Sequence, residues 1–158
     1  MNFGATLFLR AVLVLIGIGV LAFLLVEPHL EGRNAHATPF EIYFKDPFLA
    51  YIYVASIPFF VGLFHALKVL GYADRNKEFS PSTVKSVRII KYCAIALVGF
   101  VAGAEVFIIM SESDDRAGGV AMGVFIAFVS ILVATAMAVL ERTLQKAVDL
   151  KSENDLTV

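Results

Sequence analysis

The chain has one cysteine, Cys93, among its 158 residues, which excludes an internal disulfide and any metal site built from several thiolates. Cys93 itself reads as a small apolar filler of a helix. Catalytic groupings are equally scarce. No two carboxylates fall at a common depth, no nucleophile has its base at a recognisable spacing, and no ligand set is spelled out. The residues therefore favour a non-enzymatic protein with no cofactor and no metal. Net charge is also nearly absent: 13 basic and 14 acidic residues leave a formal charge of -1, a sum that points to no partner. No small-x-small cleavage site follows the first apolar run, which Glu27-Pro28 closes, so that run reads as a retained span rather than a removed signal peptide. An inverted repeat is missing too, which counts against a transporter assembled from duplicated halves.

What the chain does have is apolar length. Hydrophobic residues make up 59% of it and the mean hydropathy is +0.81, above the roughly 45–50% apolar share of soluble domains. Crossing the hydrocarbon core takes about 20 mostly apolar residues. Four runs meet this, at 7–26, 48–70, 89–110 and 120–140. Lipid offers no partners for backbone N–H and C=O groups, so the runs must be helices. The expectation is an all-α integral membrane four-helix bundle, one domain, with short polar connections and a short C-terminal tail.

Orientation follows from Lys and Arg in the connections. Arg10, Lys68, Arg75, Lys77, Lys85, Arg88, Lys91, Arg142, Lys146 and Lys151 fall on one side, ten in all, against only Arg33, Lys45 and Arg116 on the other. The bias predicts a multi-pass protein with both termini and the middle connection in the cytoplasm. Connections 27–47 and 111–119 then lie outside, rich in acids such as Glu27, Glu31, Glu41, Asp46, Glu112, Asp114 and Asp115. Within the first of them, Glu27, His29, Glu31 and His36 are cation-binding types, but their spacing matches no helix-borne ligand pair and reads as a solvated loop over the outer mouth.

On the inner side, Ser80 is placed to cap a helix and Pro81 suits its first position, so the third helix should start ahead of its span. Its first turns carry Lys85, Arg88 and Lys91, a basic stripe at headgroup depth that is either a topology anchor or a docking face for an acidic partner. After span four a helix is expected to about Lys151, followed by a tail in which Leu156 and Val158 alternate with polar residues. Such a tail, extended, could add to another protein's sheet edge. It could equally lay Glu153 and Asp155 on the basic surface around Arg75–Lys91.

Inside the spans, Glu105 is the one acid, and an intramembrane ionisable group is a functional candidate by default. His65 lies near the inner end of span two, and Pro58 in mid-span removes a backbone bond and predicts a kink. Gly99-x-x-x-Gly103 and Gly119-x-x-x-Gly123-x-x-x-Ala127 place small residues on helix faces where backbones can approach closely, within one chain or between two.

The C-terminal string Lys151-Ser152-Glu153-Asn154-Asp155-Leu156-Thr157-Val158, with Phe79-Ser80, Ile90-Lys91-Tyr92-Cys93-Ala94 and Pro58-Phe59-Phe60, resembles the YoaS-like family of bacterial four-span membrane proteins, over nearly the whole chain. The resemblance implies the four-span fold but no activity, and, because members are often encoded beside a small helix-turn-helix regulator, it suggests a DNA-binding partner protein. Two functions are carried forward. One is a regulatory protein binding a cytoplasmic partner through Arg75, Lys85, Arg88, Lys91 and the tail residues Glu153, Asn154, Asp155, Leu156 and Val158. The other is a small transporter or channel subunit using Glu105, the Pro58 kink and an acidic outer mouth, which would have to oligomerise. Contact with nucleic acid itself is not expected.

Overall fold

A computed structural model describes residues 3–30, 36, 38–44, 47–110 and 116–156. Among the described residues five helices follow one another: α1 (Phe3–Leu30), α2 (Pro39–Phe44), α3 (Pro47–Asp74), α4 (Pro81–Met110) and α5 (Arg116–Leu156). No strand occurs among the described residues. Four of the helices, all but α2, are long and apolar enough to cross a membrane. Their side chains are turned inside out relative to a soluble bundle: Phe8, Leu15, Phe23, Phe64, Phe125 and Phe128 are all more than half exposed. A patch of that extent is tolerable only against lipid.

Packing runs between chain neighbours. α4 lies along both α3 and α5, and α1 lies on α3. In the α1–α3 pair Gly17 leaves room for the Leu63 side chain, whose Cδ2 would sit 2.6 Å from a Cβ there. At the end of the bundle where α1 starts, Arg10 of α1 pairs with Asp74 of α3 at 2.7 Å. At the other end, the Tyr53 hydroxyl donates to the Leu24 carbonyl (2.9 Å) and the Tyr43 hydroxyl to the Leu25 carbonyl (3.0 Å).

The helices begin and end for local reasons. α3 continues through Pro58 to Asp74 and closes with Asn76 in the left-handed region (φ 52°). Lys77 N–H donates back to the Tyr72 carbonyl (2.9 Å) and Asn76 N–H to the Ala73 carbonyl (3.2 Å), the paired bonds that satisfy a helix's last carbonyls. Asparagine tolerates this backbone and a β-branched residue does not. Asn76→Val is therefore expected to destabilise the protein by about 1–2 kcal/mol, whereas Asn76→Gly should be neutral or better. Thermal unfolding of the two variants in detergent checks the pair.

α4 starts as its sequence predicts, with Ser80 Oγ accepting from Thr83 N–H (3.3 Å) and Pro81 in the first turn. Two boundaries differ from expectation. α1 runs past Glu27-Pro28 to Leu30, since a proline so near the C-terminus removes only one bond from an already established ladder. The stretch between spans one and two also contains α2, absent from the sequence reading. Its start is a reciprocal cap: Thr38 N–H donates to Glu41 Oε2 (3.1 Å) and Glu41 N–H to Thr38 Oγ1 (3.4 Å). Ile42 is buried, and α2 rests on α3. Thr38-x-x-Glu41 is the recognisable sequence mark of such a start.

The best-packed core is not in mid-membrane. Val84, Val87 and Leu144 are buried together, joined by Val69, Met137 and Val148, at the end where α3 finishes and α4 starts. Thr83 and Ser86 are buried beside them on α4. Water drives burial only where water is present, so this is the end at which the chain builds a soluble-type core. At 1.5 Å per residue the 41-residue α5 is about 60 Å long, twice the ~30 Å hydrocarbon thickness. Its last turns project beyond the membrane.

Candidate functional site

The charged residues of the basic stripe at the start of α4 converge on an acid that the sequence did not single out. Glu141, at the start of the polar part of α5, accepts from Arg88 Nε through Oε1 and from Lys91 Nζ through Oε2, both at 2.6 Å. Arg88 and Lys91 are i and i+3 on α4 and so share a face. The antiparallel register brings Glu141 between them, one carboxylate oxygen for each cation. Arg88 keeps about half its side chain in solvent, while those of Lys91 (19% exposed) and Glu141 (12%) are largely covered. The signal was available: Glu141 is the first acid after span four, at the depth where span three's stripe must lie.

Around this clasp the two helices leave a cleft of about 380 Å³, also lined by Ala138, Arg142, Gln145 and Lys146. The Lys91 ammonium additionally lies 4.7 Å over the Tyr92 ring. The other predicted docking residues are arranged differently. Arg75 and Lys85 are exposed. Glu153 and Asn154 are exposed on the last turn of α5, and the helix backbone continues through Asp155 and Leu156. The helix thus runs to Leu156, five residues beyond the expected end at Lys151, because Lys, Ser, Glu and Asn at this point continue a helix already nucleated. Val158 and the side chains of Asp155 and Leu156 lie outside the described residues. The register set by Lys91 against Glu141 puts α5 beyond Asp149 level with the turn that precedes Pro81. Tail and inner connection therefore share one end, but the tail's acids stand about 18 Å along α5 from the Arg88–Lys91 clasp, at 1.5 Å per residue.

The intramembrane candidates are separate from this end. The Glu105 carboxyl group lies directly against Gly123 of α5, where a Cβ would overlap it. Glu105 Oε1 is buried without a hydrogen-bond partner, as is Nδ1 of His65. Gly103 accommodates the Tyr51 ring hydroxyl, which donates to the Phe100 carbonyl at 2.7 Å. Gly119 meets Ile108, and a Cβ on Gly99 would meet nothing. The expected small-residue faces thus divide: Gly103, Gly119 and Gly123 serve packing within the chain, and Gly99 does not. Pro58 lines an apolar cavity of about 220 Å³ between α3, α4 and α5, along with Phe59, Gly62, Cys93, Ala94 and Ser130. Cys93 therefore fills a helix interface, as its size suggests.

At the end of the bundle where α2 lies, His29 is held by contacts within the protein. Its Nδ1 is 3.0 Å from the Leu25 carbonyl and 3.2 Å from the Tyr43 hydroxyl, and its ring meets Tyr43 edge-on. Glu31 lies outside the described residues, as do the connection residues Arg33, Lys45, Asp46, Glu112, Asp114 and Asp115. Among the described residues no three His, Cys, Asp or Glu side chains converge as a metal site would require.

Two comparisons bear on this arrangement. Residues 29–158 match the family described as "Protein of unknown function (DUF2975)". The Uncharacterized membrane protein YoaS of Bacillus subtilis (strain 168) is 42% identical over 160 residues, a match that takes in the whole of both chains. No solved structure matches. With four membrane-length helices in the order the resemblance implies, the chain belongs to the DUF2975 family, alongside the membrane protein YoaS.

Proposed function

We propose that this is a non-enzymatic regulatory protein of the bacterial cytoplasmic membrane that holds a soluble partner at its inner face. Both termini and the α3–α4 turn are cytoplasmic in this reading, by the ten-to-three excess of Lys and Arg on that side. The observation that carries it is the position of the packed core. Val84, Val87 and Leu144 make a rigid base at the same end from which α5 projects, and a protein needing only to sit in lipid has no use for either. The exposed Arg75 and Lys85 and the last turn of α5 with Glu153 and Asn154 supply a surface of mixed charge there. A helix-turn-helix regulator is the partner the family resemblance suggests.

Affinity capture of the tagged protein from its own membranes tests this directly. A soluble regulator should co-purify with the full chain and be lost when Asn154–Val158 is deleted, with membrane insertion unchanged. Capture of the same proteins by both forms would remove the tail from the interface. Reporter fusions test the orientation: a periplasmic reporter should be active at Ala35 and silent at Val158, and activity at Val158 would reverse the topology.

A second reading, a small cation transporter or channel subunit, has one observation in its favour, the buried Glu105 Oε1 without a partner. Cation flux into liposomes holding the pure protein, lost on Glu105→Gln, would establish it over the first.

A further inference from the structure

The cleft between α4 and α5 goes beyond partner binding, because its charge is not balanced and its continuation is greasy. Glu141 answers Arg88 through Nε and Lys91 through Nζ. Arg142 and Lys146, on the α5 wall, make no ion pair among the described residues, and Gln145 turns its amide to Asp149 instead (2.8 Å). Four cations and one carboxylate line the same small space. Guanidinium and ammonium groups set around one concavity are suited to phosphate oxygens, which the fork of Arg142 can meet in pairs.

The second observation lies toward mid-membrane on the same helix faces. Steps of three, four and seven residues from Arg88 and Lys91 reach Ile95, Gly99 and Val106 on α4. The same steps from Ala138 reach Ile131, Ala127 and Val124 on α5. Ile95, Val106, Ile131 and Val124 are half-exposed or more, and the space a Cβ would take at Gly99 is open. Helical spacing therefore continues the seam as an exposed apolar strip, a furrow with open space over Gly99 and branched aliphatics before and after it in the register. It starts at the basic cleft and runs into the hydrocarbon, which is the course of a phospholipid from phosphate to acyl chain.

We infer that the α4–α5 seam is a binding site for one anionic phospholipid, its headgroup phosphate held by Arg142 and Lys146 with the outer nitrogens of Arg88, and one acyl chain lying over Gly99. The cleft supplies the charge selectivity and the furrow supplies the preference for a lipid over a free anion. A soluble phosphate gains nothing from Gly99, and a zwitterionic lipid brings its own ammonium into a space already crowded with cations. Glu141 sets the position of Arg88 and offsets the mutual repulsion that would drive the cations apart.

The test uses the full chain, purified in detergent and equilibrated with mixed micelles of phosphatidylglycerol and phosphatidylcholine in equal parts, with retained lipid read by native mass spectrometry. Wild type should retain one phosphatidylglycerol in preference to phosphatidylcholine. Each surface cation contributes about fivefold to anionic-lipid attraction, so the Arg142→Gln, Lys146→Gln double variant should weaken that retention by about 25-fold. Lys85→Gln, an exposed cation outside the cleft, should leave retention at the wild-type level. Gly99→Leu, which fills the furrow and touches no charge, should also reduce it, and this variant keeps the idea testable if the double variant does not fold. Equal retention of the two lipids, or an undiminished preference in both the double variant and Gly99→Leu, would overturn the assignment. Displacement of the lipid by inorganic phosphate at constant ionic strength would make this a site for a soluble anion, and displacement by poly-glutamate at matched charge would make it a protein-docking cleft; either result overturns the lipid site.

Discussion

Glu141→Gln is expected to be the most damaging isosteric substitution at the end of the bundle where α4 starts, costing about 2 kcal/mol and loosening α4 from α5. The side chain is mostly covered and serves two cations at once, each at 2.6 Å. Removing its charge leaves Lys91, itself largely covered, and Arg88 with no counter-charge between them, and the amide can accept from only one of the two. A fully buried pair would cost about 3–5 kcal/mol to break from one side. The smaller figure applies because Arg88 retains access to water, where isolated ion pairs contribute about 1 kcal/mol or less. The ordering of variants is the sharper part of the expectation. Arg88→Gln should be mild, since Glu141 keeps Lys91. Lys91→Gln should be intermediate, and Glu141→Gln worst because it strands both cations. Thermal unfolding in detergent gives the order, and hydrogen exchange at residues 81–91 should rise most in Glu141→Gln. A variant series in which Arg88→Gln equals Glu141→Gln would show that the clasp acts as a single exposed pair and not as a three-membered group.

The clasp also shows where sequence reading reaches and where it stops. The four spans were legible because lipid imposes one rule on the backbone, and Leu7–Val26 or Ile89–Met110 can satisfy it in only one way. The α4 start was legible because Ser80-Pro81 acts within a single turn. Glu141 was not, because its meaning depends on an antiparallel register that periodicity does not determine: the same acid one turn further along α5 would face Ser86 or solvent. Charge counting treated Arg88 and Lys91 as free surface for the same reason, although Glu141 holds both. The end of α5 was misjudged in a different way. Ser152–Leu156 was read as tail, but the helix arriving from residue 116 runs through it, since extending an existing helix needs no new nucleus.

Glu105 yields the most discriminating result, because the same substitution should change sign with the background. Gly123→Ala adds a methyl group where the Glu105 carboxyl group lies, with the carboxyl carbon only 2.8 Å from the new atom. The side chain is flexible and can leave, but it leaves toward lipid or toward the α4–α5 connection, and a carboxyl group turned to lipid is costly. Gly123→Ala alone is therefore expected to destabilise the α4–α5 pair by about 1–3 kcal/mol. Glu105→Ala removes a buried oxygen that has no partner, so it should itself be tolerated, with the lost contact offset by relief of an unsatisfied polar group. In that background Gly123→Ala places its methyl in the vacated space and replaces a poor helix former with the best one, worth up to about 1 kcal/mol. It should now stabilise. The measurement is a double-mutant cycle from unfolding of the four proteins in mixed micelles, with the coupling carried by two residues on facing helices. Loss of stability in both backgrounds would mean that Gly123 is needed for backbone approach between α4 and α5 as such, and that Glu105 is merely a neighbour of that contact.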